Sequence, residues 1–169
     1  MNSSQVLTEA FGRIQETVHD VCAGLTQDQL AYRPDGDANS IAWLVWHLTR
    51  VQDDHLADLE GTEQIWTSAD WANRFALPFD PTDTGFGHSS TDVGAVRGIS
   101  AELLTGYLDD TVEQTRAIIG RHGDNDLDRI IDDSWDPPVT IGVRLVSVIS
   151  DDLQHAGQAA FLRGLIERQ

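Results

Sequence analysis

The chain contains no lysine, so its basic residues are eleven arginines, against 28 Asp and Glu residues. The formal net charge is −17 and the pI is near 4.3. Phosphate recognition requires a basic surface, so this charge argues strongly against a nucleic-acid partner. Attraction to an anionic membrane surface also depends on basic residues. We therefore expect neither a nucleic acid nor a membrane among the partners.

Cysteine is nearly absent as well. With Cys22 alone, the chain cannot form an intrachain disulfide or a cysteine-based zinc site. The N-terminus lacks the basic flank and apolar run of a signal peptide, and no apolar stretch approaches the length of a membrane span. We predict a cytoplasmic location. The 169 residues, 40% of them hydrophobic, predict one globular domain over residues 1–169.

Apolar residues recur at helical three/four spacing in four segments, and no segment alternates convincingly as a strand would. The segments are a helix capped by Ser3 or Ser4 and ended by Gly24, a helix from Ile41 to Leu59, a helix from Ser100 to about Arg121, and a helix from Ile141 to Ile166. Four long helices without strands predict an all-α fold, namely a four-helix bundle.

The second and third helices are separated by a long segment, residues 62–99, that is rich in aromatic residues. It holds Trp66, Trp71, Phe75, Phe79 and Phe86 among several prolines and glycines. So many aromatic side chains in a loop predict that it packs down, as a lid over a cavity. His88 is then either an ordinary loop residue or an acid/base group brought over the site.

The most informative motif lies on the fourth helix, where Asp151 and His155 are four residues apart in a largely apolar run. That spacing places a carboxylate and an imidazole on one face of a helix. Burying both groups is costly unless a divalent metal compensates them. His47 on the second helix would supply a third ligand, which leaves one coordination position open.

Each of these assignments competes with a plainer one. Asp151 and His155 could form an ion pair on a solvated face, and Asp152 competes with Asp151 as the carboxylate. A lone histidine such as His47 is more often a boundary residue. His55 is about 12 Å from His47 along the helix, too far to share an ion. We interpret His55 as a histidine at the edge of the core, with lining of the pocket as the alternative.

Two further residues extend the stripe of the fourth helix. Arg144 lies seven residues before Asp151, and Gln158 lies three residues after His155. They could orient ligands or bind an anionic group of a substrate. An alternative for Arg144 is simple charge balance with Asp151.

Three stretches together resemble the DinB-like superfamily, in particular its actinobacterial branch related to mycothiol-dependent enzymes. They run from Asn39 to Leu48, from Gly85 to His88, and from Gln154 to Gln158, followed by Arg163-Gly164. The resemblance implies a bundle that is often a homodimer and binds one divalent metal, zinc or nickel. The family's metal-binding positions fall on His47, Asp151 and His155. Many members carry His, and some Glu, where this chain has Asp151.

The same resemblance implies an S-transferase that uses mycothiol or a similar low-molecular-weight thiol, with the metal generating the thiolate. Small-molecule partners would be that thiol and an electrophile. Arg144 or Arg163 would steer carboxylates of the cosubstrate, Gln158 would contribute to binding, and His88 would act as acid or base. The alternatives are a metal-dependent hydrolase with the same ligands, and a non-catalytic metal-binding protein of the stress response.

Overall fold

A bundle of long helices carries the fold in the computed structural model, which describes residues 1–168. The helices are α1 (Ser3–Cys22), α2 (Gln27–Leu30), α3 (Ile41–Glu60), α4 (Ile65–Ser68), α5 (Trp71–Phe75), α6 (Ser90–Ala95), α7 (Ala101–Ile119) and α8 (Ile141–Ile166). A 3₁₀ turn covers Asp124–Asp126, and β1 (Ile130–Asp132) pairs antiparallel with β2 (Val139–Thr140). The prediction of an all-α, DinB-like bundle is confirmed.

The long helices surround one apolar core. Both α1 and α3 lie against α7 and α8, so that each long helix has two long neighbours. Every residue from Ser40 to Arg50 is buried, because the bundle covers one side of α3 and the 62–99 segment covers the other. None of the helices within residues 1–168 combines the length and the apolar character that a bilayer span requires.

Short polar side chains cap the starts of the four long helices. The side chains of Ser40, Ser100 and Thr140 each accept a hydrogen bond from the backbone amide three residues on. The expected cap of the first helix at Ser3 or Ser4 is wrong. Asn2 is the cap, and it forms a reciprocal capping box with Gln5. An Asn cap with Gln at the third helical position satisfies two backbone donors, so the helix starts earlier.

A buried polar network fastens the 62–99 segment to α3. The Arg50 guanidinium donates to the backbone carbonyls of Pro81 and Asp83, and the Asp53 carboxylate accepts from the backbone amides of Ile65 and Trp66. Both charged side chains are fully buried. A buried charge is tolerated when it is paired and hydrogen-bonded, so α3 fixes the path of this segment on both sides of its aromatic centre.

The aromatic residues of the segment pack as predicted, except at its end. Trp66, Trp71 and Phe75 are buried and Phe79 is packed against the core, whereas the Phe86 side chain is 91% exposed. The segment therefore forms a packed wall with one exposed aromatic side chain rather than a lid closed over the bundle.

Candidate metal centre and the cavity beside it

His47 of α3 meets Asp151 and His155 of α8 in the middle of the bundle. One potential ligand atom from each residue lies within 4.8 Å of the other two, and within residues 1–168 this is the one such cluster of three or more groups. The Nε2 atom of His155 lies 3.5 Å from Oδ1 of Asp151. The structure thus brings together the three side chains that the sequence predicted as metal ligands.

Both imidazoles are oriented by a hydrogen bond from the ring nitrogen that faces away from the cluster. Nδ1 of His47 donates to the Thr84 carbonyl at 2.5 Å, and Nδ1 of His155 lies 3.2 Å from Oε1 of Gln158, which accepts. In the neutral imidazole, a hydrogen on Nδ1 leaves the lone pair on Nε2. Metal-binding histidines are typically held by such an outer hydrogen bond. Trp43 adds a stacked contact on the His47 ring, with centroids 4.6 Å apart.

The charges of the cluster favour a bound cation. A hydrogen bond between Nε2 of His155 and Asp151 lowers the pKa of Asp151 and raises the pKa of His155. A cation bound to Nε2 would take the place of the proton in that bond. Burial lowers the pKa of His47, which keeps its imidazole neutral and able to donate a lone pair. Oδ2 of Asp151 is buried without a hydrogen-bond partner. A cation would satisfy that oxygen, so the residues fit a divalent metal.

The chemistry of the donor set narrows the choice of metal. Two imidazole nitrogens and one carboxylate oxygen suit Zn²⁺, and imidazole also suits Ni²⁺. Three protein ligands leave a position for a further ligand, as in catalytic zinc sites. The set contains no thiolate, in agreement with the single, buried Cys22.

A cavity of about 470 Å³ opens beside the cluster. Its lining residues are His47, Val51, Asp54, His55, Thr84, Phe86, Ser147, Val148 and Asp151. Its volume is within the range of small-molecule sites. The 62–99 segment contributes only Thr84 and Phe86 to the wall. A larger hollow of about 600 Å³, lined mainly by α1, contains no cluster of this kind.

His88 lies behind His47 rather than in the cavity wall. Its Nδ1 accepts from the indole N–H of Trp43 at 3.1 Å, and its Nε2 lies 3.1 Å from Oδ2 of Asp83. Because an indole nitrogen can only donate, Nε2 of His88 carries the hydrogen and donates to Asp83. Both ring nitrogens are therefore hydrogen-bonded. His88 is linked to the cluster through Trp43, whose ring stacks on that of His47.

The other predicted site residues occupy different surroundings. Gln158 contacts His155 directly. Nη1 of Arg144 lies 2.6 Å from Nδ1 of His55. Arg163 lies two turns beyond His155 on α8 and donates to three backbone carbonyls at the end of α1. The structure thus brings Gln158 to the cluster, places Arg144 behind His55, and leaves Arg163 away from both.

Thr84 and Gly85 are site residues that were not predicted from the sequence. A Cβ atom on Gly85 would lie 2.8 Å from a ring carbon of Trp46 and 2.9 Å from Nδ1 of His47, and the φ angle of Gly85 is +89°. Only glycine allows this close approach. The Gly-Phe-Gly run signals a turn, but nothing in the sequence indicates that the turn lies against His47.

We expect Gly85→Ala to weaken metal binding by about 10- to 100-fold, the usual effect of disturbing the outer shell of a metal site. The added methyl would displace the His47 ring from the Thr84 carbonyl. Gly87→Ala is the matched control, because Gly87 also has a positive φ, +77°, but a methyl group there would have no neighbouring atom within 4 Å. Competition titration with a metal-sensitive dye measures the metal affinity of both variants. Equal affinities in the two variants would contradict the role given to Gly85.

The chain is similar to one known family and to a solved structure. The family model described as Mycothiol-S-transferase matches residues 6–168. A solved structure of a conserved protein from Enterococcus faecalis superposes with a TM-score of 0.92 at 31% sequence identity, covering 100% of this chain and 99% of that one. No curated protein matches the chain.

Proposed function

Because the chain belongs to the mycothiol-S-transferase family, we propose that it is a metal-dependent enzyme that transfers the sulfur of mycothiol, or of a similar low-molecular-weight thiol, to a carbon electrophile. His47, Asp151 and His155 would hold the divalent cation. The observation that carries the metal dependence is the meeting of these three groups beside an open cavity, with one buried carboxylate oxygen unpaired.

The proposed reaction breaks two bonds, S–H and carbon to leaving group, and forms two, S–C and the O–H bond of the protonated water. The thiol S–H bond loses its proton to water, the sulfur forms a bond to the electrophilic carbon, and the leaving group departs with its electron pair. A bound divalent cation would supply Lewis acidity that favours the thiolate over the thiol at neutral pH.

The residues of the chain would prepare the site for this reaction. Thr84 and Gln158 hold the two imidazoles so that both present Nε2 to the cluster. The cavity provides room for the thiol and the electrophile next to Asp151. We propose that His88 acts as a positioning residue through Trp43, because both of its nitrogens are already hydrogen-bonded.

The test combines metal analysis with turnover on protein purified without a histidine tag. We expect close to one divalent metal per chain, and consumption of alkyl halide or epoxide electrophiles that requires both the metal and an added thiol. Treatment with a chelator should abolish the activity, and Zn²⁺ or Ni²⁺ should restore it. Ester hydrolysis that is indifferent to thiol would point instead to a hydrolase. Stoichiometric metal without turnover on any electrophile or ester would favour a non-catalytic metal-binding protein.

A further inference from the structure

We infer that His55 is a specificity-determining residue of the cavity, held by Arg144 as a hydrogen-bond donor for an uncharged oxygen atom of the thiol or the electrophile. The inference rests on the proposed function for the identity of those molecules. It concerns the end of the cavity that lies away from the metal ligands, where the sequence predicted a histidine at the core edge or in the pocket wall and gave it no role.

The contact with Arg144 determines which nitrogen of His55 carries the hydrogen. Nη1 of Arg144 lies 2.6 Å from Nδ1 of His55. A guanidinium can only donate, so Nδ1 of His55 must accept. A neutral imidazole has one donor and one acceptor nitrogen, so Nε2 of His55 carries the hydrogen. Burial and the positive charge of Arg144 lower the pKa of His55, which favours this neutral form.

The Nε2 donor of His55 has no partner within the described chain. No acceptor within residues 1–168 lies within hydrogen-bonding distance of this nitrogen. It is also not a fully buried atom, so solvent reaches it. His55 lines the same cavity as His47 and Asp151. It is two turns from His47 on α3, about 12 Å along the axis. A molecule whose sulfur or reacting carbon lies at the cluster would extend towards this donor.

The surrounding charges favour an uncharged acceptor. Arg144 provides one positive charge, but the carboxylate of Asp132 lies 4.0 Å from it. Asp54 lines the cavity, and Asp54 and Asp58, neither of them a metal ligand, both act electrostatically on His55. A carboxylate entering this end would meet more negative than positive charge. A carbonyl, amide or hydroxyl oxygen can accept from Nε2 without that repulsion.

The kinetic test uses the full, metal-loaded chain and two pairs of reactants. Phenacyl chloride and benzyl chloride differ by one carbonyl in the electrophile, and N-acetylcysteamine and pentanethiol differ in the thiol by replacement of the amide with two methylenes. The variants are His55→Phe, which removes the donor, and His55→Gln, which keeps an N–H. His19→Phe, the same change at a histidine outside the cavity wall, is the matched control.

We expect His55→Phe to raise KM about 10-fold for the member of one pair that carries the oxygen, the usual scale of one hydrogen bond, while kcat changes little. The pair that responds identifies which partner reaches His55. The KM of the pair member without the oxygen should not change. His55→Gln should restore most of the KM effect, because it keeps an N–H donor. Equal effects of His55→Phe on both members of both pairs would overturn the inference. A lower KM for 3-mercaptopropionate than for N-acetylcysteamine would contradict the inference that the oxygen bound by His55 is uncharged.

A second measurement does not depend on turnover. In ¹⁵N-histidine NMR spectra of the metal-loaded protein, His55 should show the Nε2–H tautomer, and Arg144→Met should allow the Nδ1–H tautomer to appear. Adding N-acetylcysteamine or acetophenone should shift the His55 Nε2 resonance. An Nδ1–H tautomer in the unmodified protein, or no shift with either ligand, would refute the role of His55. A protein that binds these ligands through His55 but transfers no sulfur would refute only the proposed function.

Discussion

His155→Ala is expected to lose its bound divalent metal, whereas His55→Ala is expected to keep it. Nε2 of His155 lies in the ligand cluster, whereas His55 lies two turns of α3 away from His47 and its Nδ1 accepts from Arg144. Removing one of three ligands should cost more than the 10- to 100-fold that loss of an outer-shell partner costs. We therefore expect affinity to fall by more than about 100-fold in His155→Ala and by less than about 3-fold in His55→Ala.

Metal analysis after dialysis measures the retained ion, and thermal unfolding with and without added metal gives an independent check. A ligand present at 100 times its Kd stabilises the folded state by about 2.7 kcal/mol. Metal should therefore raise the Tm of the unmodified protein and of His55→Ala, but not that of His155→Ala. Equal metal content in the two variants would show that the ligand assignment is wrong. The proposed mechanism, which depends on those ligands, would then be wrong too.

Asp152→Leu is expected to stabilise the protein by about 1–3 kcal/mol at neutral pH, the range for a buried polar group without partners. Asp152 is fully buried in α8, and neither of its carboxylate oxygens has a hydrogen-bond partner. Leucine has the same branched arrangement of four side-chain heavy atoms and removes that cost. Because Asp152 is not a member of the cluster that contains Asp151, metal content should not change.

The stabilisation should depend on pH in a defined direction. Burial, and then the neighbouring charge of Asp151, raise the pKa of Asp152 well above its usual value. The folded state thus binds the proton more tightly than the unfolded state, and stability is lost as pH rises from about 4 through the folded-state pKa. The advantage of Asp152→Leu over the unmodified protein should be smallest near pH 4 and largest above neutral pH.

Two further variants separate polarity from charge at Asp152. Asp152→Asn should remove the pH dependence without the full gain in stability, because a buried amide also lacks partners. Asp133→Asn, at an exposed position, is the control for the loss of one acid on a protein of charge −17. Urea unfolding of the metal-loaded proteins at several pH values gives the free energies. A difference between Asp152→Leu and the unmodified protein that is independent of pH would contradict the proposed burial of an unpaired carboxyl.

Local sequence was enough to predict the long helices and the pairing of ligands within α8. Apolar spacing and the caps at Ser40, Ser100 and Thr140 act over a few residues, so local chemistry sets the helix starts. The four-residue step from Asp151 to His155 follows from the helical repeat alone. The short hairpin of β1 and β2 was not predicted, because strands of two or three residues have too few positions for an alternating pattern.

The role that each acidic residue and histidine takes depends on how distant segments of the chain pack together. Asp151 and Asp152 are adjacent in sequence, yet one reaches the cluster and the other is buried without partners, because about 100° of helix rotation separates their side chains. The hydrogen bonds of His47 to Thr84, and of His55 to Arg144, join residues 37 and 89 positions apart.

Thr84 and Arg144 acquire their roles towards His47 and His55 only when the 62–99 segment and α8 pack against α3. Local spacing therefore identifies which side chains lie on one helix face, while packing between distant segments determines the ring nitrogen that His47 and His55 leave free. If a crystal structure of the metal-loaded protein held the ion on other side chains, the assignment of these ligands would fail and the bundle would remain.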